Sequence, residues 1–196
     1  MLITLHPKDP QARLIKQIAD CLRSGGVIIY PTDTVYGLGC DIFQPKAVER
    51  ICRIKGLDPL KANLSFICSD LSDLSKYARS ISTPQYRLIK NHIPGPFTFI
   101  LPASKEVPKI LKSKKDTIGL RVPDAIAAAL GNPILSSSLP GEMVEEFTDP
   151  ELIHEKFHKL VDLVVDGGIG GMEYSTIVDM TDEEPQVIRQ GAGRLG

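Results

Sequence analysis

Thr32, Asp33, Thr34 and Tyr36 set three hydroxyls and a carboxylate within five residues, directly after the apolar run Val27–Tyr30. Hydroxyls both donate and accept, and a carboxylate holds a cation or accepts N–H groups, so the cluster suits the grip of a small polar molecule. Pro31 fixes φ where the run ends, and Gly37 and Gly39 leave room for a turn or for the close approach of a ligand. Loops leaving buried strands are where a rigid sheet offers polar groups to small molecules. A plain polar turn has the same composition.

Cations stand at the ends of apolar segments: Lys55 closes a helical stretch, Arg121 sits inside Ile118–Val122, and Arg189 follows Val187-Ile188. An arginine within an apolar strand is costly to bury unpaired, so Arg121 marks either an internal ion pair or an anion site. Ser136, Ser137 and Ser138 follow Ile134-Leu135 and can donate to phosphate oxygens or to a nucleoside, or form a polar turn. No histidine lies beside them in sequence, and none is read as a nucleophile. There is no Walker P-loop, and Gly37-x-Gly39 lacks the third glycine of a dinucleotide fingerprint. The phosphates of a bound nucleotide would therefore fall to side chains and irregular loops.

His154-Glu155-Lys156-Phe157-His158 fits the H-E-x-x-H pattern of zinc peptidases. Its segment is short and soon gives way to the apolar run Leu160–Val165, so the histidines read as surface residues of an amphipathic helix and no metal site is expected. Cys21, Cys40, Cys52 and Cys68 are scattered without a C-x-x-C pair, which reads as reduced thiols rather than a zinc site or a disulfide framework. The glycine run after Asp166 suits a tight turn.

Positioning these groups requires alternating helices and strands. Leu14, Ile15, Ile18, Ala19 and Leu22 have helical spacing that stops at Gly25-Gly26, and a second helix starts at Pro45 with Val48, Ile51 and Ile54 on its apolar face. Short helices are expected over 70–78 and 84–92, the latter with Thr83 as cap, and another near 150–160. Strands are expected at Val27–Tyr30, Leu64–Cys68, Phe97–Leu101, Ile118–Val122, Ile134–Ser136, Leu163–Val165, Thr176–Met180 and Gln186–Arg189. The alternation favours α/β layering, and late strands without intervening helices imply a mixed sheet.

At 196 residues, the chain reads as one domain of ordinary composition, 42% hydrophobic and 24% charged. No apolar run approaches the ~20 residues that span a bilayer, and the first residues lack a secretory pattern, so a cytoplasmic protein without membrane contact is expected. The net charge of −1 conceals a division. Residues 1–140 carry 19 Lys+Arg against 11 Asp+Glu, or +8, whereas residues 141–196 carry 4 against 13, or −9. Such asymmetry implies a basic face that attracts polyanions, or two solvated surfaces.

The segment Pro31-Thr32-Asp33-Thr34-Val35-Tyr36-Gly37-Leu38-Gly39-Cys40-Asp41 resembles the opening motif of the YrdC/YciO family, best known for L-threonylcarbamoyladenylate synthases. Further matching segments follow in order: Lys55-Gly56, Pro94-Gly95-Pro96-Phe97-Thr98, Ile118–Pro123, Ser136–Ser138, Ser175-Thr176-Ile177 and Arg189-Gln190-Gly191. The resemblance implies a YrdC-like fold, a twisted mixed sheet flanked by helices around an open basic cavity. It also implies a nucleotidyltransferase that joins ATP, L-threonine and bicarbonate into threonylcarbamoyl-AMP with release of pyrophosphate, aided by Mg²⁺, for adenosine modification in tRNA.

Carried over by motif, Thr32, Thr34, Tyr36, Pro94, Gly95 and Thr98 would contact the threonine substrate. Asn63, Ser136, Ser138, Ser175 and Arg189 would hold the nucleotide, with Lys55 and Arg121 catalytic. Two positions depart from the family's Lys-x-Arg and Ser-x-Asn pattern: Leu57 replaces its arginine and Pro140 its asparagine. Leucine cannot supply a bidentate donor, and proline lacks both an amide side chain and a backbone N–H. With Leu5-His6-Pro7 and Phe147-Thr148-Asp149-Pro150, these departures make the chain similar to the YciO branch. For that branch the resemblance leaves a second reading open: a binding protein whose basic concavity holds double-stranded RNA or a nucleotide without making the adenylate.

Overall fold

Strand alternation organises this molecule, a computed structural model that describes residues 1–6, 9–58, 64–111, 116–122, 129–141 and 143–196. The strands are β1 (Leu2–Thr4), β2 (Ile28–Tyr30), β3 (Gly37–Asp41), β4 (Ser65–Ile67), β5 (Phe97–Pro102), β6 (Thr117–Arg121), β7 (Ile134–Ser138), β8 (Leu163–Asp166), β9 (Thr176–Asp179) and β10 (Gln186–Arg189). They form one mixed ten-stranded sheet in the order β1-β8-β2-β3-β7-β4-β6-β5-β9-β10. Helices α1 (Ala12–Arg23), α2 (Pro45–Lys55), α3 (Leu71–Tyr77), α4 (Thr83–His92) and α5 (Pro150–Phe157) flank it.

Register partners line up in rows across the middle strands. Val178, Phe99, Leu120, Phe66, Leu135 and Cys40 stand side by side from β9 to β3. All six belong to the larger core cluster, together with Leu38 of β3, Ile29 of β2, Val48 and Ile51 of α2, Leu74 and Tyr77 of α3, Ile89 of α4, and Ile153 and Phe157 of α5. Side chains alternate between faces along a strand, so the next row must point the other way. That row reads Ile100, Gly119, Ser65, Ser136, Gly39 and Ile28. At its β2 end, Ile28, Tyr30, Ile67 and Ile134 pack with Ile18 and Leu22 of α1 in a second cluster. Beyond the footprint of α1 the row turns to serine and glycine. Helices α2–α5 thus cover one face, while α1 covers only part of the other and leaves its small, polar part as a concavity.

Most expected elements are present, and the differences have local causes. Gly37–Gly39 is not a turn but the start of β3, between β2 and β7. Gly39 is required there for space: a Cβ would lie 2.6 Å from Tyr30 Cε1 and 2.9 Å from Ile134 Cγ2. Strand β1, parallel to β8, was not among the expected elements. Helix α4 is capped by Ser82 rather than Thr83; Ser82 Oγ accepts from Gln85 N at 3.4 Å, and Gln85 Oε1 accepts from Ser82 N at 2.9 Å, a reciprocal capping box. Asp149 caps α5 by accepting from Glu151 N at 2.8 Å, and this helix carries His154 and His158. Among the described residues, no helix is long and apolar enough to cross a membrane.

Candidate functional site

The concavity has a volume of about 960 Å³, part of it open to solvent. Its floor is the polar row of the sheet, with Ser65 from β4, Gly119 from β6 and Ser136 and Ser138 from β7. Thr32 and Thr34 rim one side, and Thr98, Ser175 and Arg189 converge from β5 and the ends of β9 and β10. Leu64, Ile100, Leu111 and Ile118 add an apolar wall. Among the described lining residues the charged ones are Arg121 and Arg189, so the cavity is basic and carries no carboxylate on its own wall.

Arg121, the last residue of β6, is 6% exposed. Its Nη2 bonds Asp33 Oδ1 at 2.5 Å and donates to Thr34 Oγ1 at 3.2 Å. Thr32 Oγ1 donates to Val35 O at 2.7 Å, so in the Thr32–Thr34 hydroxyl contact of 3.0 Å the donor is Thr34. The polar cluster read from the sequence is therefore a cradle around one guanidinium. Arg121 Nε is buried and has no hydrogen-bond partner. The ion-pair reading of Arg121 is met by Asp33, and the residue also lines the cavity. Sequence reasoning named Asp33 in the polar cluster and an ion pair for Arg121 without joining the two, although a lone carboxylate among hydroxyls is the signal for the partner of a buried arginine.

In the same cavity, Arg189 Nε and Nη2 donate to Ser175 O at 3.2 and 2.8 Å, and Nη2 also reaches Ser175 Oγ at 3.2 Å. Ser175 Oγ and Thr98 Oγ1 are 2.9 Å apart, which ties β5 to the same unit. The guanidinium lies over the Tyr174 ring, 5.2 Å from its centroid. Burial draws the Arg189 pKa below its usual value; Tyr174 opposes this shift and the charge of Arg121 adds to it. The two guanidiniums therefore feel each other across a hydroxyl-lined space, which favours an anion between them.

Lys55 ends α2, where Gly56 takes φ +64° as the C-cap. Its Nζ donates to Ser138 O at 2.5 Å and lies 3.3 Å from Ser138 Oγ, and burial lowers its pKa. Lys55 thus reaches the cavity through Ser138. Other expected site residues stand apart. Tyr36 is buried behind the Thr32–Thr34 rim; its hydroxyl donates to Gly168 O at 2.7 Å and accepts from Gly167 N at 3.1 Å. It anchors the glycine run rather than lining the cavity, because it shares the core side with Leu38 and Cys40 while Gly37 faces the cavity. Pro94 and Gly95 precede β5 and do not line the cavity either; Gly95 O accepts from Phe97 N at 2.8 Å. Asn63 lies outside the described residues. Among the described residues, no group of three or more His, Cys, Asp or Glu is placed to hold a metal ion.

This mixed-sheet fold is shared with known proteins. The Sua5/YciO/YrdC family profile, described as "Telomere recombination", matches residues 20–191, and the chain belongs to that family. It is 47% identical to the uncharacterized protein YciO of Escherichia coli K12, over 96% of this chain and 94% of that one. It is 33% identical to a threonylcarbamoyl-AMP synthase of Coxiella burnetii, over 83% of this chain and 89% of that one. The crystal structure of E. coli YciO superposes with a TM-score of 0.90, covering 99% of this chain and 97% of that one. P. abyssi Sua5, solved as a complex with L-threonine, superposes with a TM-score of 0.87 at 30% identity, covering 97% of this chain and 57% of the Sua5 chain.

Proposed function

We propose that the cavity binds ATP and L-threonine and makes threonylcarbamoyl-AMP, in the service of tRNA modification. The observation that carries this reading is the pair of guanidiniums lining one cavity, Arg121 held by Asp33 and Thr34 and Arg189 held by Ser175. The threonine amine and bicarbonate condense to a carbamate with loss of water. A carbamate oxygen then attacks the α-phosphorus of ATP, forming a P–O bond as the bond to pyrophosphate breaks. Negative charge builds on the phosphoryl oxygens, and fixed cations in a site shielded from water stabilise it. Asp33 and Thr34 hold the Arg121 guanidinium still at the cavity wall, where its charge acts on an anionic oxygen. Serine hydroxyls on the floor suit ribose and phosphate oxygens, and Lys55 orients Ser138 among them.

Mg²⁺ would shield the phosphate charge in this chemistry. Such an ion is usually bound through one or two carboxylates and the substrate phosphates, so it would enter with ATP, Asp33 being the carboxylate paired with Arg121. A second reading, ligand or double-stranded RNA binding without adenylation, is favoured by Leu57, which is 39% exposed and offers no donor, and by Pro140, which offers no N–H. Pyrophosphate release from ATP, Mg²⁺ and bicarbonate, with and without L-threonine, separates the two. We expect threonine-dependent release that falls at least about a hundredfold in Arg121→Ala, the scale on which loss of a charge-stabilising donor acts. Folded protein that binds ATP but releases no pyrophosphate would establish the second reading instead.

A further inference from the structure

Tyr174 is assigned no task by the family motifs, yet it stands at the cavity beside Arg189. We infer that the Tyr174 ring, backed by the Arg189 guanidinium, is a built platform on which the nucleobase of a bound mononucleotide stacks. The donors of Arg189 argue for this. A guanidinium has five N–H groups, and those on Nε and Nη2 already go to Ser175 O and Oγ. A phosphate gripped in bidentate fashion would need the edge that Ser175 occupies. What Arg189 still offers is Nη1 and its charge, and its Cζ lies over the Tyr174 ring at 5.2 Å from the centroid.

The platform is rigid before any ligand arrives. Tyr174 O accepts from Ala192 N at 2.9 Å, and Gly191 N donates to Thr176 Oγ1 at 2.9 Å, pinning the chain on both sides of Ser175. A Cβ on Gly191 would collide with Tyr174 O, so the C-terminal segment packs closely under the platform. The tyrosine remains 37% exposed, leaving part of the ring for a ligand. Rigid aromatic surface binds planar groups with little loss of conformational entropy, and base–aromatic stacking is sequence-tolerant and strong enough to matter. The hydroxyl floor of Ser136 and Ser138, which suits ribose and phosphate, lines the same cavity. A mononucleotide presents its base free to stack, whereas a duplex would reach the ring only with an extruded base.

The inference rests on the proposed function only in placing a nucleotide in the cavity, and its test needs neither threonine nor turnover. The chain contains no tryptophan, so Tyr174→Trp supplies a lone indole at the site. Fluorescence of that variant is expected to be quenched by AMP and ATP but not by tripolyphosphate, which has no base. By calorimetry on the full chain, Tyr174→Ala should bind ATP roughly tenfold more weakly and tripolyphosphate as the wild type does, with Tyr174→Phe near wild type. Equal losses for ATP and tripolyphosphate would mean that the ring only steadies Arg189, and would overturn the inference. So would unchanged ATP affinity in Tyr174→Ala while threonine-dependent pyrophosphate release stays intact. No ATP binding by the wild-type chain would overturn the inference and the proposed function together.

Discussion

Arg121 shows how a charge can be kept in a nearly closed site. A guanidinium at the end of an apolar strand needs a counter-charge, and Asp33 supplies one from the loop after β2. The Asp33 side chain is 25% exposed and that of Arg121 only 7%, so the aspartate sits on the solvent side and the arginine inside. Removing the aspartate therefore strands the arginine more than the reverse. Asp33→Ala should lower unfolding free energy by about 1–3 kcal/mol, less than a fully buried pair would lose, and Asp33→Asn by less because it keeps an oxygen acceptor. Urea melts of the three proteins at neutral pH measure this. Equal stability in all three would mean that Thr34 and water suffice to hold Arg121.

At the scale of elements, Tyr36 couples β3 to the glycine run after β8. Its hydroxyl bonds Gly167 and Gly168, Gly170 packs so closely on the ring that a Cβ would come within 2.7 Å, and a Cβ on Gly171 would collide with Thr34 O. This run thus holds the back of the Thr32–Thr34 rim. Burial raises the Tyr36 pKa from 10.0 to about 12. A folded pKa above the unfolded one means that the folded protein keeps its proton longer, so this stabilisation is whole below pH 10.0 and is lost as pH rises through about 12. Tyr36→Phe should cost about 1 kcal/mol at neutral pH and narrow its deficit against wild type above pH 10.0, as followed by thermal melts across that range.

Such couplings were only partly legible in the sequence. Helices α1 and α2 announced themselves by spacing, and β2, β5, β6 and β8 by continuous apolar runs. Strand β3 did not, because glycine commonly marks turns, and here its missing side chains make room for Tyr30 and Ile134. Motif matching drew Lys55, Arg121, Ser136, Ser138, Ser175 and Arg189 together, and these residues do gather at or against one cavity. Tyr36 was carried into the same list by its place in the opening motif, yet its ring lies on the core side and its hydroxyl bonds the glycine run. Asp33 and Tyr174 act through contacts with Arg121 and Arg189 that are 88 and about 15 residues away in the chain.

For the molecule as a whole, the sheet separates two tasks. One face carries the hydrophobic row under α2–α5, and the other keeps a bare polar stretch beyond α1. The cavity walls take their charge from Arg121 in the basic 1–140 part and Arg189 in the acidic remainder. Because the site is formed in the folded sheet alone, a ligand should stabilise the fold by mass action. At a hundredfold excess over its dissociation constant, ATP should add about 2.7 kcal/mol and raise the melting midpoint by about 5–10 °C, with the shift lost in Arg121→Ala.

The most direct measurement is mass spectrometry of the product formed from ATP, Mg²⁺, L-threonine and ¹³C-bicarbonate. The account predicts threonylcarbamoyl-AMP carrying one ¹³C, absent without threonine and strongly reduced in Arg121→Ala. Intact ATP and no labelled adduct, from protein that still shows the ATP-dependent rise in melting midpoint, would contradict it and leave a family member that binds the nucleotide without using it.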